Sequence, residues 1–176
     1  LNIFYLDESP RQCAQWMVDK HVVKMILETA QLLSTAHRVL DGTMSIDTSS
    51  GRKKKVYALP DERNGILYAA THINHPSAVW ARQSVENYNW LVDHMFALSD
   101  EYTYRYGKYH MTMDKMGLMI QSPPLNLVEW DMTPMPSCMD PQYIISDDPI
   151  VNYRNYYRYG KSSMHKWKKR EVPAWI

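Results

Sequence analysis

The longest amphipathic pattern in the chain is "DKHVVKMILETAQLLSTAHR", residues 19 to 38, where Val, Met, Ile, Leu and Ala cover most of a helical circumference. At about 100° per residue, His21, Lys24, Glu28, Gln31, Thr35 and Arg38 fall within an arc of roughly 100°, one polar stripe on an otherwise apolar helix. Ser9 and Pro10 supply an N-cap and a first helical residue, so one helix is expected from residue 10 to about 40, stopping at Asp41-Gly42. Ahead of it, "NIFYLD" at 2 to 7 reads as a short strand or an extended arm.

Beyond Gly42 the pattern breaks into a polar stretch, 43 to 60, expected as an exposed loop or insertion carrying the basic run "RKKK" at 52 to 55. A short helix is expected from about 61 to 72. A second long helical pattern opens on Pro76 and runs to about 106, where Gly107 can end it. Residues 111 to 120 add a short helix. The stretch 122 to 149 then holds six prolines in 28 residues, which forbids a long helix and requires turns or extended chain. Asp148 and Pro149 open a last helix, expected through about 170. The fold class is therefore mostly α: a compact single domain over residues 1–176, a bundle of about three major helices with long Pro-rich and basic loops at about 43–60 and 121–149.

At 176 residues one core is the default. Two cysteines, Cys13 and Cys138, are too few and too far apart for a disulfide framework or a zinc knuckle, which points to a reducing, cytoplasmic setting. No signal-peptide pattern opens the chain and no apolar run is long enough for a membrane span, so no membrane partner is expected. A formal charge of +1 is uninformative as a total; its distribution is not. Thirteen Tyr and six Trp against two Phe form the compositional oddity, since these rings join a stacking face to a polar handle.

Two segments carry candidate chemistry. On the stripe, Glu28 follows His21 by seven residues and Lys24 by four, so carboxylate, imidazole and ammonium can converge on one face. The stripe faces either water, as on any amphipathic helix, or a cleft in which Glu28 could move protons. Near the C-terminus, "VNYRNYYRYGKSSMHKWKKR" at 151 to 170 holds Arg154, Arg158, Lys161, Lys166, Lys168, Lys169 and Arg170 without one acid. Tyr153, Tyr156, Tyr157, Tyr159 and Trp167 are interleaved. Cations meet phosphate oxygens and aromatic faces stack on bases, so the segment reads as nucleic-acid binding; the bland alternative is a solvated basic face with half-buried tyrosines.

The remaining patterns are weaker. "THINH" puts His72 and His75 three apart, within reach of a metal together with His94 or His110, but no HExxH motif accompanies it. "YGKSS" at 159 to 163 lacks the upstream glycine of a phosphate loop, and no G-x-S-x-G is present. No metal or cofactor is expected.

Asp19, His21, Val22, Val23 and Glu28 resemble, in order and spacing, the early helix of the phage pyrimidine-dimer DNA glycosylases of the endonuclease V type. "YRNYYRYGK" at 153 to 161 is similar to the aromatic-basic segment near the end of those enzymes. The likeness covers about 40 residues at these two sites. It implies an all-α, monomeric, cofactor-free repair enzyme that removes damaged pyrimidines, pyrimidine dimers foremost, from double-stranded DNA and then cleaves the abasic site through a Schiff base.

In that family the free α-amine of the chain attacks C1′. An α-amine, with a reference pKa of about 8, offers neutral nucleophile without the burial a lysine needs. The likeness assigns Glu28 as the catalytic carboxylate and the α-amine of Leu1 as the nucleophile. Family enzymes begin with a small residue exposed by methionine removal, whereas this chain reads Leu1-Asn2, so Lys24, ahead of Lys20, stands as the second candidate nucleophile. His21, Arg38, Arg154, Tyr156, Tyr157, Arg158, Lys161 and Lys168 are the expected DNA contacts. A DNA-binding accessory protein without catalysis and a metal-dependent nuclease are the competing readings.

Overall fold

The apolar positions that predicted the helices bury themselves on one another and leave little sheet. The computed structural model describes residues 1–176. Its helices are α1 (Pro10–Trp16), α2 (Asp19–Asp41), α3 (Arg63–Ile66), α4 (Pro76–Ala81), α5 (Val85–Tyr106), α6 (Met111–Ile120) and α7 (Pro149–Asn155). Strands β1 (Thr43–Asp47) and β2 (Lys54–Ala58) pair antiparallel, with Met44 opposite Tyr57 and Ile46 opposite Lys55. No helix is long and apolar enough to cross a membrane.

The two long helices, α2 and α5, pack together at the centre, with α4 and α6 against α2 and α1 against α5. Between them lies one hydrophobic core, in which Val22, Met25, Ile26, Leu32 and Leu33 of α2 meet Tyr88, Leu91, Met95 and Leu98 of α5. Burying each such aliphatic side chain contributes about 1.5–3 kcal/mol, which exceeds what helix propensity alone supplies. The N-terminal segment proves to be an extended arm rather than a strand: Ile3 to Leu6 are buried without a sheet partner.

Each of the three long helices expected from the pattern is interrupted, and long-range hydrogen bonds explain two of the breaks. At Met17-Val18 the Val18 N–H donates to the Tyr157 hydroxyl and the Asp19 N–H to the Lys166 carbonyl, so bonds from the far end of the chain replace helical ones. At Ser84 the hydroxyl caps α5, while the N–H groups of Val85 and Glu86 bond the carbonyls of Glu129 and Trp130. The last helix stops well short of 170. After Asn155 it widens into one π turn, Tyr156–Gly160, then a single tight turn at Ser162–Met164, and finishes as irregular chain.

Residues 43 to 60, expected as a loop, fold into the β1–β2 hairpin. The expected helix over 61 to 72 shrinks to the single turn α3. Gly107 ends α5 in the left-handed region at φ 66°, as its position predicted.

A buried ionic cluster fixes the start of α2. Arg105, with a fully buried side chain, donates to Glu101 at 3.1 Å, to Asp19 at 3.0 Å and to the Gln15 carbonyl at 2.9 Å. Arg170 closes on the other side of Glu101 at 2.8 Å. Because Arg105 and Glu101 each bridge several groups, the cluster orients α2 relative to α5 and the C-terminal segment.

Candidate active site

The N-terminal half of the α2 stripe opens on a cleft of about 430 Å³. The amino-terminal arm, α2 and the π turn form its walls, and each is held by a named contact. Asn2 is the anchor of the arm. Its amide donates to the Cys138 carbonyl at 2.8 Å, and its Oδ1 accepts the Tyr153 hydroxyl at 2.8 Å and the Ile3 N–H at 2.8 Å. Phe4 adopts φ 57°, a region a non-glycine residue rarely visits, and its carbonyl accepts the buried Cys13 thiol.

Those anchors deliver the nitrogen of Leu1 to 3.4 Å from Glu28 Oε1, with Glu28 only 14% exposed. Glu28 Oε2 lies 3.6 Å from Lys24 Nζ, one turn earlier, and has no hydrogen-bond partner. The carboxylate thus stands between the Leu1 nitrogen, enclosed at the foot of the cleft, and the Lys24 amine, 69% exposed at its lip.

His21 lies beside them but is built into the wall. Its ring stacks on Phe4 with centroids 4.1 Å apart, and its Nδ1 is 2.6 Å from the Tyr157 hydroxyl. That hydroxyl also accepts the Val18 N–H, and its own proton finds a partner in Nδ1 when the imidazole carries its hydrogen on Nε2. Burial first, then Lys161 and Lys24, pushes His21 down to about 3, so the ring is neutral at physiological pH.

Opposite α2 the wall is aromatic and cationic. Tyr156 lies nearly parallel to Phe4, with centroids 6.1 Å apart, and abuts Tyr143 at 5.0 Å. Lys161 Nζ stands 5.1 Å from the Tyr156 ring centre and 5.8 Å from that of Phe4. Gly160 permits this packing, because a Cβ there would lie 2.6 Å from Tyr156 Cδ1.

Of the residues singled out from the sequence, Leu1, His21, Lys24, Glu28, Tyr156 and Lys161 converge on the cleft. Five others lie elsewhere or behind it. Arg38 is buried, and its guanidinium is saturated by the carbonyls of Tyr57, Asn64, Leu67 and Tyr68 and the Asn64 side chain, which leaves no donor for a phosphate. Tyr157 is fully buried and offers no face for stacking.

Arg154 donates to the Leu6 carbonyl and Asp7 and packs on Trp16 and Trp175, while Arg158 donates to the Trp175 carbonyl. Lys168 is exposed over the Tyr106 ring, away from the cleft. The basic segment is therefore not one face of one helix: its arginines fasten the fold, and Lys161 alone of its cations lines the cleft.

The stripe itself divides. Its first half lines the cleft, and Thr35 and Arg38 in the second half grip residues 57 to 71 through side-chain bonds to that segment. The histidines considered for a metal are dispersed among other tasks. His75 and His110 accept N–H groups as caps of α4 and α6, and His94 stacks on Trp90 inside α5. No three His, Cys, Asp or Glu side chains gather at metal-binding geometry.

Sequence reasoning passed over Asn2 and Phe4, which set the nitrogen of Leu1 and one wall of the cleft. Their roles depend on residues more than 130 positions away, so no local pattern marks them. No family model, curated protein or solved structure matches the chain.

Proposed function

We propose that this chain is a DNA glycosylase with abasic-site lyase activity, acting on damaged pyrimidines, pyrimidine dimers foremost, in duplex DNA. One observation carries the reading: the nitrogen of Leu1 at 3.4 Å from Glu28, at the foot of a cleft with aromatic and cationic walls. With that nitrogen free as an amine, the two groups needed for imine chemistry are already adjacent. The short likeness of residues 19–28 and 153–161 to the dimer glycosylases points the same way.

The neutral amine attacks C1′ of the damaged nucleotide as the C1′–N bond breaks and the base takes up a proton. Glu28 holds the positive charge that develops on the sugar. Ring opening gives the imine, Glu28 removes a C2′ proton, and the 3′ phosphate departs by β-elimination. Hydrolysis of the imine restores the amine. Half-buried Tyr156 offers a stacking face to a displaced base, and Lys161 offers a phosphate contact beside it, while buried Phe4 backs the wall. Neutral His21 shapes the wall and holds Phe4.

Sodium borohydride trapping on ultraviolet-irradiated and abasic duplexes, in EDTA and with mass mapping of the attached peptide, tests the proposal. An adduct on Leu1 is expected, and an adduct on Lys24 would keep the chemistry while moving the nucleophile. Glu28→Gln should lose at least 100-fold in strand cleavage with DNA affinity retained. Absence of any adduct from a protein that binds duplex DNA would overturn the enzymatic reading and leave a DNA-binding module.

A further inference from the structure

Residues 43–58 leave the body of the fold as a hairpin in which positions 43 to 55 are all exposed. A two-stranded ribbon is marginal by itself in water, yet this one is braced at both ends. At its tip Asp47 Oδ1 accepts the Ser49 N–H at 2.9 Å, the Gly51 N–H bonds the Thr48 carbonyl at 3.0 Å, and Gly51 takes φ 82°. At its base Arg38 donates to the Tyr57 carbonyl at 2.7 Å and to Asn64 Oδ1 at 2.9 Å, and the same oxygen accepts the Leu59 N–H.

This ribbon displays Arg52, Lys53, Lys54 and Lys55 in succession. Lys54 stands opposite Asp47 across the strands, and none of the four enters an ion pair within 4.0 Å. Asp47 offsets part of the Lys54 charge, and the concentration of positive charge that remains suits a polyanion. Its placement says which one. Arg38, which grips the base of the ribbon, lies ten residues beyond Glu28, about 15 Å along α2 and within about 80° around it. The base of the ribbon and the cleft are therefore both fixed to one helix, within about 80° of each other around it.

We infer that the β1–β2 hairpin is a second nucleic-acid contact, whose four cations bind the phosphate backbone of duplex DNA flanking the damaged nucleotide held in the cleft. The inference rests on the DNA reading above and extends it to a surface outside the catalytic groups. Five-residue strands reach up to about 17 Å beyond their base. At 3.4 Å per base pair, the contact falls about four to nine base pairs from the lesion. Two-stranded ribbons of this width fit a DNA groove, and Met44 and Ile46, exposed on the face shared with Lys55, offer apolar contact beside the charges.

The test compares wild type with the R52Q/K53Q/K54Q/K55Q variant, its fold checked by circular dichroism. Binding to an undamaged 40-base-pair duplex is followed by anisotropy across a salt series, and borohydride trapping is run on an abasic duplex at saturating protein. The plot of log affinity against log salt should lose about 3 to 4 from its slope in the variant, about 0.9 per cation, with trapping unchanged. An unchanged slope in a wild type that binds DNA would overturn the hairpin assignment and leave the trapping result to judge the active site separately. A reduced slope without trapping in either protein would keep the hairpin assignment and remove the glycosylase reading. No duplex binding by wild type at 50 mM salt, or hairpin-dependent binding only to phosphatidylserine vesicles, would overturn the inference.

Discussion

The Tyr157 hydroxyl joins two elements 136 residues apart: it stands 2.6 Å from His21 Nδ1 and accepts the Val18 N–H at 3.1 Å. Tyr157→Phe keeps the ring packing and leaves both partners buried and unpaired. Urea denaturation should show a loss of about 1–3 kcal/mol. A loss below about 0.5 kcal/mol would mean that water or a shifted His21 replaces the hydroxyl without consequence.

Arg38 is expected to matter for folding and not for DNA. Arg38→Met strips partners from four carbonyls and the Asn64 side chain, which should destabilise the protein by about 3 kcal/mol or more. In the R52Q/K53Q/K54Q/K55Q background, where loosening the hairpin removes no phosphate contact, the affinity of the folded fraction for duplex DNA, measured well below the melting temperature, should change by no more than about twofold on Arg38→Met. Unchanged stability with a tenfold loss of affinity would instead make Arg38 a phosphate contact.

Buried histidines give the protein a particular response to acid. Burial pushes His21 down to about 3 and His94 to about 4, and burial with Arg63 nearby takes His37 to about 4. Unfolded histidines titrate near pH 6.5, so between that pH and about 4 the unfolded chain binds more protons than the folded one. Stability from these groups is fully present above about pH 6.5 and declines as pH falls through that window. Each histidine contributes at most about 1.4 kcal/mol per pH unit. Melting temperature should be flat from pH 8 to 7 and fall steadily from 6.5 to 4.5; a flat profile down to 4.5 would contradict the burial of these rings.

Gly160 sets how closely the π turn approaches the cleft. Gly160→Ala would put a methyl group 2.6 Å from Tyr156 Cδ1 and 2.9 Å from Tyr143 Cζ, so one ring must turn away. Both rings are half-buried, and Tyr156, the nearer of the two, is the one the methyl group meets first. Borohydride trapping should fall several-fold in a variant whose melting temperature drops by only a few degrees. Full activity in that variant would show that the position of the Tyr156 ring is immaterial to the reaction.

What could be read from the chain follows the range of the forces involved. Helix identity, the Pro10, Pro76 and Pro149 starts and the Gly107 stop are local and appeared where expected. The α2 stripe was also local, and its first half does line a cleft. Its second half is indistinguishable in spacing, yet Arg38 turns to backbone carbonyls because residues 57–68 happen to pack there.

The breaks at Val18 and Ser84 had no breaker residue to announce them, since bonds from Tyr157, Lys166, Glu129 and Trp130 create them. The basic C-terminal segment misled for a related reason. Composition counts charges but cannot separate Arg154 and Arg158, which serve the fold, from Lys161, which faces the cleft.

The tether of Asn2 to Cys138 and Tyr153 sets an order of events during synthesis. Glu28 and Lys24 leave the ribosome more than 100 residues before Cys138 and Tyr153, the clasp that brings the arm back to them. The proposed reacting pair is therefore assembled only when residues 138–153 fold over the arm. A chain released short of residue 153 would carry every proposed reacting group and lack the means to align them, so partial translation products of this protein should be chemically silent toward DNA.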